Sequence, residues 1–137
     1  TADRMTDVLS LGPRVDAIQW IEHLSKVLSK YRFNFSNEKD LQAGMGKVFA
    51  SIGEEFVAEY HLSDEDIVDF YFPTKKIGVE AKIDHSLSDL TRQLFRYAQH
   101  ESILGILVVT SKARLANLPE EMNHKPIRCH SLIGSVL

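Results

Sequence analysis

Leu104 to Thr110 reads Leu-Gly-Ile-Leu-Val-Val-Thr, a run without a charged side chain. Its length suits a strand, and a strand that is apolar throughout is one buried on both faces. Such a strand needs packed material above and below its sheet. The rest of the chain must supply those layers.

Helical spacing appears first. Pro13 is a good opening residue for a helix, and Val15, Ile18, Ile21, Leu24, Val27, Leu28 and Tyr31 recur at helical intervals after it. The spacing predicts a helix over 13–31. Ser36 or Asn37 caps a second helix, with Leu41, Met45, Val48, Phe49 and Ile52 as its apolar stripe and Gly53 at its end. The period then shortens. Strands are expected over 55–61, 66–72 and 77–83, with turns at 62–65 and 73–76, as an antiparallel meander. Ser86 or Ser88 caps a third helix over 87–101, its inward side carrying Leu87, Leu90, Leu94, Tyr97 and Ala98. A short helix near 113–118 and a last strand over 126–132 complete the order. The fold class this predicts is α/β, a central mixed β-sheet flanked by helices.

The chain has 137 residues, enough for one domain and too few to expect two. Within it, 1–35 reads as an N-terminal helical extension and 36–110 as the core. No apolar run approaches a membrane span. The single cysteine, Cys129, forms no intrachain disulfide, which fits a reducing cytoplasm, and a lone cysteine is more often a small buried hydrophobe than a nucleophile. The net charge of −3 argues against a non-specific nucleic-acid coat protein. The distribution is uneven, however. Between Gly53 and Phe72 there are seven acids and no Lys or Arg. Either this is a solvated acidic hairpin, or some of the acids hold a cation.

The segment Ile77-Gly78-Val79-Glu80-Ala81-Lys82-Ile83 is the most informative. Side chains alternate across a strand, so Ile77, Val79, Ala81 and Ile83 share a core face while Gly78, Glu80 and Lys82 share the other. The glycine leaves room for a close approach. In the preceding strand, Asp69 sits among large apolar residues. Aspartate is a poor strand former, and a half-buried carboxylate is costly unless paired or metal-bound. A hairpin turning at 73–76 brings Asp69 beside Glu80. Two adjacent carboxylates repel, and a divalent cation between them resolves the conflict. The competing reading is a salt bridge from Asp69 to Lys82. Glu38 lies on the apolar side of the second helix and in its first turn, where it either complements the helix dipole or reaches a metal-bound water. Gln93 and Tyr97, one turn apart, form a polar pair within the inward stripe of the third helix. They position the site or the phosphate backbone, or else are a core-edge Tyr beside a surface Gln. Arg92 and Arg96 form a second pair, read as phosphate contacts or as a solvated helix face.

The order of Glu38 on a helix, Asp69 on a strand, Glu80-Ala81-Lys82 on the next strand, and Gln93-x-x-x-Tyr97 on the following helix resembles the PD-(D/E)XK nuclease superfamily. Within it, the chain is most similar to the RecB-type branch with its added Q-x-x-x-Y motif. The likeness covers roughly 36–110. The family's proline before the first aspartate is absent, since Val68 precedes Asp69. The resemblance implies a restriction-endonuclease-like core and phosphodiester hydrolysis in DNA. It implies that Asp69, Glu80 and the Ala81 carbonyl hold Mg²⁺, with Mn²⁺ as a substitute, and that Glu38 is an accessory acid. It implies that Lys82 orients the attacking water, and that Gln93 and Tyr97 support the site. The alternative is an inactive module of the same fold that binds nucleic acid or a partner protein. A domain this small and slightly acidic has little surface for DNA, so a homodimer or larger complex is expected. The six histidines show no metal spacing, and Gly44-Met45-Gly46-Lys47 lacks the full spacing of a phosphate loop.

Overall fold

The apolar run becomes the strand Gly105–Thr110 near the middle of a six-stranded mixed sheet, buried at every position. The structure, a computed structural model, describes residues 2–132 and the side chains of 12–132. In chain order the elements are α1 (Ala2–Leu28), α2 (Glu38–Ser51), β1 (Val57–His61), β2 (Ile67–Phe72), β3 (Ile77–Ala81), α3 (Leu87–Ala98), β4 (Gly105–Thr110), a 3-10 helix (Ala113–Ala116), β5 (Glu121–Met122) and β6 (Lys125–Ser131). The strand order is β1-β2-β3-β4-β6-β5. β1, β2 and β3 form the expected antiparallel meander. β3–β4 and β4–β6 are parallel, and β5 returns antiparallel to β6. Parallel neighbours need a crossover connection, and α3 lies in the one between β3 and β4.

Each face of the sheet has its own core. On one face, α1 contributes Ala17, Ile21, Leu24 and Leu28, and α2 contributes Leu41, Met45, Val48 and Phe49. These pack on Ile77, Val79, Ala81, Leu107 and Val109. On the other, α3 supplies Leu90, Leu94, Tyr97 and Ala98 against Val68, Tyr71, Ile106, Val108 and Ile127. β4 thus alternates, with Leu107 and Val109 toward α1 and α2, and Ile106 and Val108 toward α3. This is the period of 2 that a doubly covered strand requires.

The first helix differs from its expected bounds. It begins at Ala2, and Pro13 lies inside it rather than at its start. Ile21, Leu24 and Leu28 of the expected stripe are buried, while Val15 is 48% exposed and Tyr31, beyond the helix end, is 43% exposed. A Cβ on Gly105 would lie 2.9 Å from Ile21 Cδ1, so the missing side chain lets Ile21 seat directly over β4. Asn37 is the cap of α2, its side chain accepting from the Asp40 N–H, and Gly53 follows the helix at φ +78°. Ser86 caps α3 in the same way through the Asp89 N–H. No described helix is long and apolar enough to cross a membrane.

Val79 and Leu107 in one core and Ile103 in the other are all 0% exposed. Leu107→Ala should lower the unfolding free energy by about 2–5 kcal/mol in urea titration. An aspartate at any of the three should abolish cooperative unfolding. A cooperative transition retained in all three aspartate variants would contradict the two-core packing.

Candidate active site

β2 and β3 pair at Phe72↔Ile77, Tyr71↔Gly78 and Phe70↔Val79, and the ladder stops there. The next residues along are Asp69 and Glu80. The Asp69 N–H donates to Glu80 Oε1 at 2.9 Å, and the Ala81 N–H donates to Asp69 Oδ2 at 2.8 Å. Two side-chain carboxylates therefore take the place of backbone carbonyls where the strands part. β2 also changes phase at this point. Strict alternation would put Val68, Phe70 and Phe72 on one face, yet Phe70 and Phe72 enter the core under α1 and α2 while Val68 enters the core under α3. Asp69 is the residue at the break. Glu59, opposite Asp69 in the β1–β2 register, has left-handed backbone at φ +51°.

The fork gathers side chains from both layers. Lys82 Nζ lies 3.4 Å from Glu80 Oε2, so the acid and base do share a face. Glu80 is 1% exposed and Lys82 is buried as well. From α3, the Tyr97 hydroxyl donates to the Ile67 carbonyl at 2.6 Å and lies 3.3 Å from Glu80 Oε1. Gln93 Nε2 donates to the same hydroxyl at 2.9 Å. From α2, Glu38 Oε1 accepts the Ile83 N–H at 2.9 Å and meets His85 Nε2 at 2.9 Å. Gln42, one turn after Glu38, donates to Asp69. In an antiparallel ladder a residue's N–H and C=O point to the same side. The Ala81 carbonyl thus faces the gap toward Asp69.

Burial is the largest influence on both carboxylates. It raises Asp69, against the Ala81 N–H bond and the Lys82 charge, which lower it. Burial, and then the Asp69 charge, push Glu80 up to about 8, with Lys82 opposing. Tyr97 is raised too, by burial and by the Glu80 charge, so it remains a neutral phenol that can donate. With both carboxylates ionised, the single Lys82 ammonium would leave one negative charge unbalanced. Among the described residues no three His, Cys, Asp or Glu side chains form a ready ligand cage. Mg²⁺ is usually held by only one or two carboxylates and keeps several waters. The hard oxygen donors of Asp69, Glu80 and Ala81 fit that habit.

The other expected site residues lie apart from the fork. Arg92 is exposed and pairs with Asp89, the solvated reading of that residue. Arg96 pairs with Asp66 at 3.1 Å, an acid that also binds His100 Nε2 at 3.0 Å. Gly78 leaves room, but the core takes it. A Cβ there would lie 3.1 Å from Val68 Cγ2 and 3.2 Å from Ile103 Cδ1. Gln42 and His85 were not anticipated. Gln42 had a signal, being four residues from Glu38 on one helix. His85 had none, since it lies in an aperiodic loop. No family model matches this chain, and no curated protein or solved structure does either.

Glu80 binds its proton more tightly when folded than the ordinary value of 4.5. Its stabilising contribution is therefore complete below about 4.5 and is lost as pH rises toward about 8. In EDTA, the Tm of the wild type should fall relative to Glu80→Gln between pH 5 and pH 8. Parallel Tm curves for the two proteins would contradict the burial of that carboxylate.

Proposed function

We propose that this chain is a Mg²⁺-dependent nuclease with a restriction-endonuclease-like core, hydrolysing phosphodiester bonds in DNA. One observation carries the reading. Side chains from two strands and two helices, which the sequence spaces over Glu38 to Tyr97, converge on a single fork through the hydrogen bonds described above. Packing alone does not require an Asp, a Glu and a Lys to meet inside a sheet, because burying such groups is unfavourable without a compensating role.

Asp69, Glu80 and the Ala81 carbonyl would hold the ion. Bound there, Mg²⁺ supplies a Lewis acid for a phosphoryl oxygen and lowers the pKa of an attached water. The chain's own groups do the rest. Lys82, held against Glu80, orients the attacking water and offsets the negative charge that builds on the phosphate. Glu38 accepts a proton from solvent or water at the open edge, its side chain being 27% exposed. Gln93 and the Ile67 carbonyl hold the Tyr97 hydroxyl in place 3.3 Å from Glu80 Oε1. The water oxygen bonds to phosphorus as one P–O ester bond breaks, leaving a phosphate end and a hydroxyl end.

A second reading has its own observation. Glu80 is 1% exposed and one of its oxygens is spent on a backbone N–H. A carboxylate used that way also suits a module that keeps the fold for binding nucleic acid or a partner protein without cleaving.

Cleavage of labelled single- and double-stranded DNA, with Mg²⁺, Mn²⁺ or EDTA, separates the two. Wild type should cut only with metal, and Glu80→Ala and Lys82→Ala should each lose about a hundredfold or more in rate while staying folded by circular dichroism. Inactivity of the wild type on every substrate, branched DNA and RNA included, would leave the binding module.

A further inference from the structure

The loop between α1 and α2 reads Tyr31-Arg32-Phe33-Asn34-Phe35, aromatic and polar side chains in alternation. Arg32, Phe33 and Asn34 are walls common to two clefts of about 470 and 550 Å³. The first runs from Tyr31 along α2 to Lys47. The second runs past Phe35 to Ile83, Asp84 and Lys112, just beyond the carboxyl ends of β3 and β4. Open α/β sheets favour ligands at the carboxyl ends of their parallel strands. Ile83 follows Lys82 in the chain, and its N–H donates to Glu38.

Charge and ring placement narrow the occupant. Arg32, Lys47 and Lys112, three cations on the walls of these clefts, make no ion pair among the described residues. Asp40 and Asp84 are the acids on these walls, and Asp40 is occupied by Asn37 and Asn34. Tyr31 is 43% exposed. Phe33 is seated on the backbone of α2, where a Cβ on Gly44 would lie 3.0 Å from Phe33 Cδ1. Phe33 is partly buried against the core, and Tyr31 is the accessible ring. Unpaired cations beside an accessible ring suit a ligand with phosphates and free aromatic faces. A duplex hides its base faces inside the stack, and an unpaired strand offers them.

We propose that the two clefts form one track for an unpaired nucleic-acid strand, phosphates on Arg32, Lys47 and Lys112 and bases against Tyr31 and Phe33. The track ends at Ile83, the residue after Lys82, so as a substrate channel it rests on the nuclease reading. Its binding does not depend on cleavage.

Fluorescence anisotropy in EDTA tests it, with labelled oligo(dT), oligo(U), an abasic strand and a duplex of equal length. At least one of the two single strands should bind about tenfold or more tightly than the duplex and the abasic strand. The tighter of them identifies the sugar. Tyr31→Ala should weaken that binding about tenfold, and Tyr31→Phe should restore it. Arg32→Ala and Lys112→Ala should each reduce the slope of log K against log salt by about 0.7. Equal binding of single strand, abasic strand and duplex would overturn the track, as would indifference to all of these substitutions. Single-strand binding without any cleavage would keep the track and remove the nuclease. Cleavage with a duplex preference and no effect of Tyr31→Ala would do the reverse.

Discussion

Two carboxylates standing side by side within an apolar sheet are the constraint on which the site depends. Asp69 and Glu80 replace backbone acceptors at the point where β2 and β3 separate. Removing either would leave a buried N–H without its partner, which is unfavourable by about 1–3 kcal/mol. Each carboxylate needs the other strand's backbone to be placed, and each strand needs the other's carboxylate to end its ladder. The separation also requires a layer on each side to hold it. α2 brings Glu38 and Gln42 from one side, and α3 brings Gln93 and Tyr97 from the other. The two cores anchor those helices with Leu41, Met45 and Phe49 below and Leu90 and Leu94 above.

Chemistry follows from the same constraint. A buried acid beside another buried acid is held protonated until positive charge arrives. Lys82 answers part of that demand and keeps Glu80 from rising further. A divalent ion would answer the remainder, and binding it would release a proton. A simple salt bridge would lower the pKa of its acid. The fork instead has two acids, both raised, and one ammonium, 3.4 Å from Glu80 Oε2.

Much of the fold was legible because periodicity reports burial directly. The apolar run at Leu104–Thr110 becomes a strand buried throughout, and Ile77, Val79, Ala81 and Ile83 share a core as their alternation requires. The acid and base of Glu80-x-Lys82 meet on the opposite face for the same reason. Tertiary choices were not legible. Ile21 meets Gly105 across more than eighty residues of chain, and Val15 and Tyr31, placed in the same apolar stripe by spacing, are exposed. β5, with two residues, is too short to show a period. The phase break at Asp69 is invisible to alternation because it violates it. Arg92 pairs with Asp89 by local spacing and Arg96 with Asp66 through the fold, and only the first was open to a spacing rule. His85 reaches Glu38 from a loop, where no spacing rule applies.

Calorimetric titration of Mn²⁺ into the protein near pH 7, in two buffers of different ionisation enthalpy, tests the fork as an ion site most directly. One ion per chain with close to one proton released is expected, and Glu80→Ala should lose both signals. Absence of binding at millimolar Mn²⁺, or binding that Glu80→Ala leaves intact with no proton release, would contradict it.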